Sequence, residues 1–284
     1  DLVKQCIKSI RKQTGSHPVH VIDQNSYSVY IDIPHYMMHK VKNGQMGIAH
    51  LSDYIRVSLL EKYGGLWLDS TIFCASSLPE SYFELPFFTC KSNPTSCGYL
   101  SQMRWTTFVL GGWRGNVFYR FIKEAFEEYW SQEQAAVDYL FFDYLIEVAR
   151  CEIPAISMFL KKVPNNNLHR DDLQAAMNQA IGSENFEQVI KSDTVLYKLS
   201  WRETYRLRTI DGSESIYQYF HNPNEAFLEG FIVDENPLFC HRNCESGVYI
   251  KIFKVPVNSR VNEIYMQEFR WEAWKNSYNT PLPS

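Results

Sequence analysis

Residues Ile48 to Phe73 run IAHLSDYIRVSLLEKYGGLWLDSTIF, a stretch that reads as helix, turn and strand with an unusual polar residue on each piece. Apolar Ile48, Leu51, Ile55, Leu59 and Tyr63 recur at helical spacing, which predicts an amphipathic helix with that stripe on the core. Gly64 and Gly65 follow the last periodic residue and supply the left-handed backbone that helix ends favour. Leu66-Trp67-Leu68 is a short apolar run of strand type, closed by Asp69. In open α/β sheets ligands gather at the carboxyl ends of strands, so an acid there is placed for chemistry. On the helix, Ser52, Asp53 and Arg56 share a flank away from the stripe, and three-residue spacing brings Asp53 to Arg56. The plainer account of the same residues is a capped surface helix with one solvated ion pair.

Taken together, Ser52-Asp53-x-x-Arg56 and Leu60-x-x-Tyr63-Gly64-Gly65-x-Trp67-x-Asp69 resemble the signature of family-32 glycosyltransferases and, more closely, of their relatives the capsular polysaccharide synthesis proteins. The resemblance implies an α/β fold of GT-A type: a Rossmann-like mixed sheet with helices on both faces and a helical and β C-terminal extension. It also implies that Asp53 and Arg56, with Ser52, Gly65, Trp67 and Thr71, line the site of a nucleotide-sugar donor. In such families the acid after the Gly-Gly strand begins an Asp-x-Asp motif for a metal and the nucleotide diphosphate. Here the motif runs Asp69-Ser70-Thr71 and lacks its second carboxylate. Asp69 is therefore the one metal candidate, and a divalent ion, Mn2+ or Mg2+, is expected to be weakly bound or dispensable.

Composition sets the outer bounds. The 284 residues are 45% hydrophobic and 15% aromatic, enough for a sizeable core and unlike a disordered chain. The net charge of −4 carries no basic footprint of the kind nucleic-acid binding needs. No apolar run approaches the roughly 20 residues that cross a bilayer, and no signal peptide is expected ahead of the first helix. A soluble, cytoplasmic location is expected, compatible with peripheral work at the inner face of the membrane. Seven cysteines, an odd number, point to reduced thiols over a disulfide framework. Cys240 to Cys244 brackets a histidine, but a zinc site needs about four ligands and no second pair lies near.

Along the chain, the spacing predicts a helix over Leu2 to Gln13 and a strand over Val19 to Asp23, followed by a loop or strand edge at Tyr30 to Pro34 and a basic segment from His39 to Lys42. Further strands are expected at Phe87 to Thr89 and Trp105 to Leu110, and a helix from Asn116 to about Trp130. A helix over Glu133 to Arg150 is predicted from Val137, Leu140, Phe141, Tyr144, Leu145 and Val148. On that helix Asp138 borders the apolar stripe, while Asp143 lies about 140° away, so both cannot serve one pocket. Asp138, in a Val137 to Phe142 segment resembling an Asp-Tyr-Phe block of the capsular family, is the expected site residue near the reacting sugar. Its alternative is a half-buried acid bonded within the fold. Asn165 to Asn167 reads as a turn before a polar helix over Asp171 to Ile181, ended by Gly182.

Val195 to Arg202 is the second resembling block, similar to a late Tyr-Lys-Leu-Ser-Trp-Lys of the family. Physically it is a strand ending in cations and an aromatic plane, suited to stacking and to phosphate. Lys198, Trp201 and Arg202 are accordingly donor-binding candidates; a core Trp with solvated Lys and Arg is the alternative. Beyond Asp211 no motif stands out: His221 is a lone candidate ligand, Phe231 to Val255 reads as β-rich, and Trp271 and Trp274 fall on a short helix. The expected organisation is a catalytic domain over 1–210, with a helical insertion about 131–192, and a C-terminal extension over 211–284. The expected activity is transfer of a sugar from a nucleotide sugar, UDP-linked in the first instance, to a glycan or lipid-linked glycan, with retention of configuration. A nucleotide-sugar-binding protein without catalysis and a protein-modifying glycosyltransferase are the alternatives.

Overall fold

The computed structural model describes residues 2–92, 99–221 and 264–267. Cys240 to Cys244, the β-rich stretch 231–255, Trp271, Trp274 and the side chain of His221 lie outside the described residues. In chain order the elements begin α1 (Leu2–Gln13), β1 (Val19–Ile22), α2 (Tyr27–Tyr30), α3 (His35–Lys42), α4 (Ile48–Tyr63) and β2 (Gly65–Asp69). They continue with β3 (Ile72–Cys74), α5 (Ser81–Glu84), β4 (Phe87–Thr89), β5 (Val109–Gly112), α6 (Val117–Gln132), α7 (Phe141–Glu152) and α8 (Pro154–Lys162). Last come α9 (Asp172–Ala176), α10 (Glu184–Lys191), β6 (Leu196–Lys198), α11 (Ile216–His221) and β7 (Ile264–Gln267). The fold is mixed α/β.

Two compact units divide these elements. One comprises the described residues within Asp1–Gly15, Thr71–Leu78 and His169–Ser259. It is built on the antiparallel pair β3 and β6, with Ile72 opposite Lys198 and Cys74 opposite Leu196. Its core gathers Cys6, Phe73, Leu173, Met177, Tyr197 and Phe220, all buried.

The other unit, within Ser16–Ser70, Pro79–Leu168 and Arg260–Ser284, holds a five-stranded sheet in the order β1-β7-β2-β5-β4. The β1–β7 and β7–β2 pairs are parallel, whereas β2–β5 and β5–β4 are antiparallel. A strand at 264–267 between β1 and β2 was not legible in the sequence. Four residues are too short a run for periodicity to separate strand from loop. β2 is buried from Gly65 to Leu68, so its apolar run has no polar face, as expected of a strand covered on both sides.

Helix α4 takes the predicted bounds, but it is not amphipathic. Every residue from His50 to Leu60 is buried, Ser52, Asp53 and Arg56 included, because the helix is packed against β2, α6 and α7. A helix buried all round belongs to a core, so the solvated surface ion pair is excluded. Gly64 (φ 73°) and Gly65 (φ 93°) make the left-handed turn into β2. A side chain at Gly64 would also meet the backbone nitrogen of Arg114 at 2.6 Å.

Several predicted elements are shorter than their patterns, among them the helix expected over Asp171 to Ile181, which runs Asp172–Ala176, and the strand within Val195 to Arg202, which is Leu196–Lys198. The strand expected over Trp105 to Leu110 starts at Val109; ahead of it the Phe108 carbonyl still accepts the Asp69 amide at 2.9 Å, and the Thr89 hydroxyl shares its one proton between the Thr106 and Val109 carbonyls and accepts from the Thr106 amide. The helix expected over Glu133 to Arg150 begins at Phe141. The Asp138 carboxylate accepts the Leu140 amide at 2.9 Å, a local turn that competes with helix. Val137, counted in the apolar stripe, is consequently 68% exposed.

Candidate functional site

The carboxyl end of β2 and the middle of α4 together build a polar cluster in a buried setting. Arg56 is its centre. One terminal nitrogen of the guanidinium lies 3.2 Å from Asp53 Oδ1 and 3.6 Å from Asp69 Oδ1 and donates to the Ser52 hydroxyl at 3.4 Å. The other donates to the Thr107 carbonyl. Its carbon lies 5.2 Å from the centre of the Trp67 ring and 5.8 Å from that of Phe142, within cation–π range. The Arg56 Nε is buried with no hydrogen-bond partner. With its side chain 7% exposed, Arg56 is placed to orient the carboxylates around it.

Trp67 and Asp69, two residues apart on β2, point to one side of the strand, and the indole Nε1 donates to Asp69 Oδ1 at 3.1 Å. Trp67 itself is fully buried, so it holds the acid from below and offers no face for stacking. Gly65 is likewise a backbone device: it opens β2 opposite Gly112. Asp69 is the accessible member of the cluster, its side chain 29% exposed against 13% for Asp53.

A third carboxylate, which sequence reasoning set aside, completes the group. Asp143, in the first turn of α7, accepts the Trp105 indole N–H at 2.7 Å and interacts electrostatically with both Arg56 and Asp53. Asp138 instead is exposed, bonded to its own turn, and offers its backbone carbonyl to the His50 ring at 3.2 Å. The angular argument does not apply, because Asp138 lies in the turn ahead of α7 and not on the helix; the choice between the acids turned on a helix start that the apolar pattern placed eight residues early. The signal that could have found Asp143 is Trp105, a buried indole in need of an acceptor.

Burial pushes Asp53 up to about 7; Arg56 pulls it down, while Asp69 and Asp143 add to the rise. Burial also raises Asp143, against the Trp105 hydrogen bond and Arg56. Three carboxylates around one guanidinium leave an excess of negative charge at neutral pH, relieved in part by a proton on Asp53.

These donors do not fit a resident divalent ion. Asp69 Oδ1 already accepts from Trp67, with the Arg56 cation at 3.6 Å. Among the described residues no group of three or more His, Cys, Asp or Glu is arranged to hold a metal.

The remaining candidates belong to the other unit. Lys198 donates to the Thr71 hydroxyl at 2.7 Å, which ties β6 to β3. Trp201 is 68% exposed, and the Arg202 guanidinium lies 5.3 Å from its ring centre. The alternative of a core tryptophan is thereby excluded, and an open aromatic and cationic plane stands beside the end of β6. No described helix is long and apolar enough to cross a membrane.

Compared with known families, residues 1–220 match the profile described as capsular polysaccharide synthesis protein. No curated protein and no solved structure is matched.

Proposed function

Because this chain belongs to the capsular polysaccharide synthesis protein family, we propose that it is the enzyme that adds a sugar during capsular polysaccharide synthesis. The donor in this reading is a nucleotide sugar, a UDP-sugar in the first instance. The acceptor is a glycan or lipid-linked glycan, and the scaffold is of GT-A type. The observation that carries the reading is the gathering of Asp53, Asp69 and Asp143 around Arg56 at the carboxyl end of β2. Fixed carboxylates accept hydrogen bonds from sugar hydroxyls, and they stabilise the positive charge that grows on the anomeric carbon as its bond to the leaving group stretches. Arg56 holds them in register, so little reorganisation is left for the reaction itself.

In this reading the bond from the anomeric carbon to the donor phosphate breaks and a bond to the acceptor oxygen forms on the same face, with retention. The acceptor proton passes to the departing phosphate oxygen, and no protein base is required. Negative charge on the diphosphate is assigned to Lys198 and Arg202, with Trp201 offered to the base or a sugar. No step is routed through a metal.

A thermal-shift panel of UDP, GDP, CDP and CMP, each with and without manganese, tests the donor class, since a ligand of the folded state raises its stability. It is paired with donor hydrolysis by the parent, Asp53→Ala and Asp69→Ala. One nucleotide should stand out, and both variants should lose turnover. Nucleotide binding with no turnover in the parent would leave a binding protein, and unchanged turnover in both variants would remove these residues from the site.

A further inference from the structure

A second charged feature lies on the same face of α7 as Asp143. Residues Asp143, Glu147 and Arg150 are spaced by four and three and so line one side of the helix. Beyond Asp143 that side opens on a small cleft of about 90 Å³ lined by Lys91, Arg104, Arg150, Ser157, Leu160 and Lys161. Four cations thus face a space about three times the ~30 Å³ that one water occupies in the liquid.

Glu147 is the acid that holds two of them. It takes Arg150 in a two-point bridge, at 2.6 and 2.7 Å, and Arg104 at 3.0 Å. Lys91 is fixed differently, by the Leu160 and Val163 carbonyls at the end of α8, at 3.1 and 2.8 Å. Those bonds orient the cations and leave positive charge in excess: four cations stand against one carboxylate. Donors are left over as well. The second terminal nitrogen of Arg104 and of Arg150, the Lys161 amine and the Ser157 hydroxyl have no hydrogen-bond partner among the described residues.

We propose that this cleft binds a phosphate group, free or carried as an ester on a larger molecule. Arginine forks held by a shared carboxylate, a lysine and a serine hydroxyl are the donor set that recognises a tetrahedral oxyanion. The donors left over are all N–H and O–H groups, which an anion satisfies and a cation does not. The site is separate from the carboxylate cluster: Arg150 lies seven residues beyond Asp143 on α7, roughly 10 Å along the helix. The assignment goes beyond the transferase reading and stands without it.

The test is calorimetric titration of the full chain at low ionic strength with inorganic phosphate, methyl phosphate, dimethyl phosphate and UDP. Saturable one-to-one binding of at least one of the first three is expected, weakened about tenfold or more by Lys161→Glu and severalfold by Ser157→Ala. Lys162→Glu, the same charge change on the neighbouring exposed residue outside the cleft, should leave it within about twofold. Tighter binding of the esters would identify an ester-borne phosphate, and tighter binding of inorganic phosphate a free one. Equal losses in Lys161→Glu and Lys162→Glu would reduce the effect to a diffuse surface field and overturn the site, as would the absence of saturable binding. Loss of UDP binding in Lys161→Glu to the same extent as phosphate would make the cleft part of the donor site and overturn its separateness.

Discussion

Arg56 is the residue on which the cluster depends, because it meets a hydroxyl, two carboxylates, a carbonyl and two aromatic faces with one planar group. Lysine keeps the charge but not the fork. Arg56→Lys should therefore cost about 2 kcal/mol, less than the roughly 3–5 kcal/mol of a buried pair broken outright because the charge is kept, and should lower turnover; an unchanged urea midpoint would contradict it. Asp53 sets a pH dependence of the opposite sense to most carboxylates. It ionises near 3.9 in an unfolded chain and at about 7 here, so between those values the native state holds a proton that the unfolded state has lost. Its contribution to stability is complete below about pH 4 and is lost as pH rises through about 7. Asp53→Asn cannot titrate, so its Tm, relative to the parent, should rise from about pH 4 to about pH 7 and level off above that; parallel curves would show that Asp53 is ionised throughout. The pair Asp143→Asn and Asp138→Asn separates the buried acid from the exposed one. The first should cut turnover by tenfold or more while still accepting from Trp105, and the second should leave the rate within about twofold.

At the scale of elements, the bounds of α4 were legible, those of β2 to within a residue, and α7 was not. Gly64 and Gly65 mark the end of α4 by backbone chemistry alone, whereas the start of α7 is decided by the Asp138 turn, which an apolar count does not register. β5 shows the same limit, since the Thr106 amide and carbonyl ahead of it bond the Thr89 hydroxyl instead of a strand. The pairing of β5 with β4 supplies a test. A side chain at Gly112 would come within 2.4 Å of the Pro86 carbonyl, which is backbone and cannot swing away. Gly112→Ala should destabilise the protein by roughly 2 kcal/mol, within the range of stored backbone strain, with a matching fall in Tm. A neutral result would mean that the β4–β5 edge shifts to accommodate it.

Over the whole molecule, the sequence block around Asp69 is divided between two compact units, with Ser70 the last residue of one segment and Thr71 the first of the next. The carboxylates and Arg56 belong to one unit, and Lys198, Trp201 and Arg202 to the other. The chelator experiment belongs at this scale. A lone accessible aspartate beside a guanidinium makes a poor metal site, so turnover should survive EDTA with less than about a tenfold loss. Complete loss, restored by manganese, would show that a divalent ion arrives with the nucleotide and that Asp69 serves it.

The sequence by itself determined the α4-turn-β2 unit, the adjacency of Asp53 and Arg56, and the family, because glycine backbone chemistry and helical spacing are local properties. Tertiary structure alone decided that α4 is buried on every side, that Trp67 supports Asp69 from beneath, that Asp143 and not Asp138 joins the cluster, and that 264–267 enters the sheet. Each of these depends on which distant segment supplies the neighbour. Burial then turns an ordinary ion pair into a group whose carboxylate titrates near neutrality.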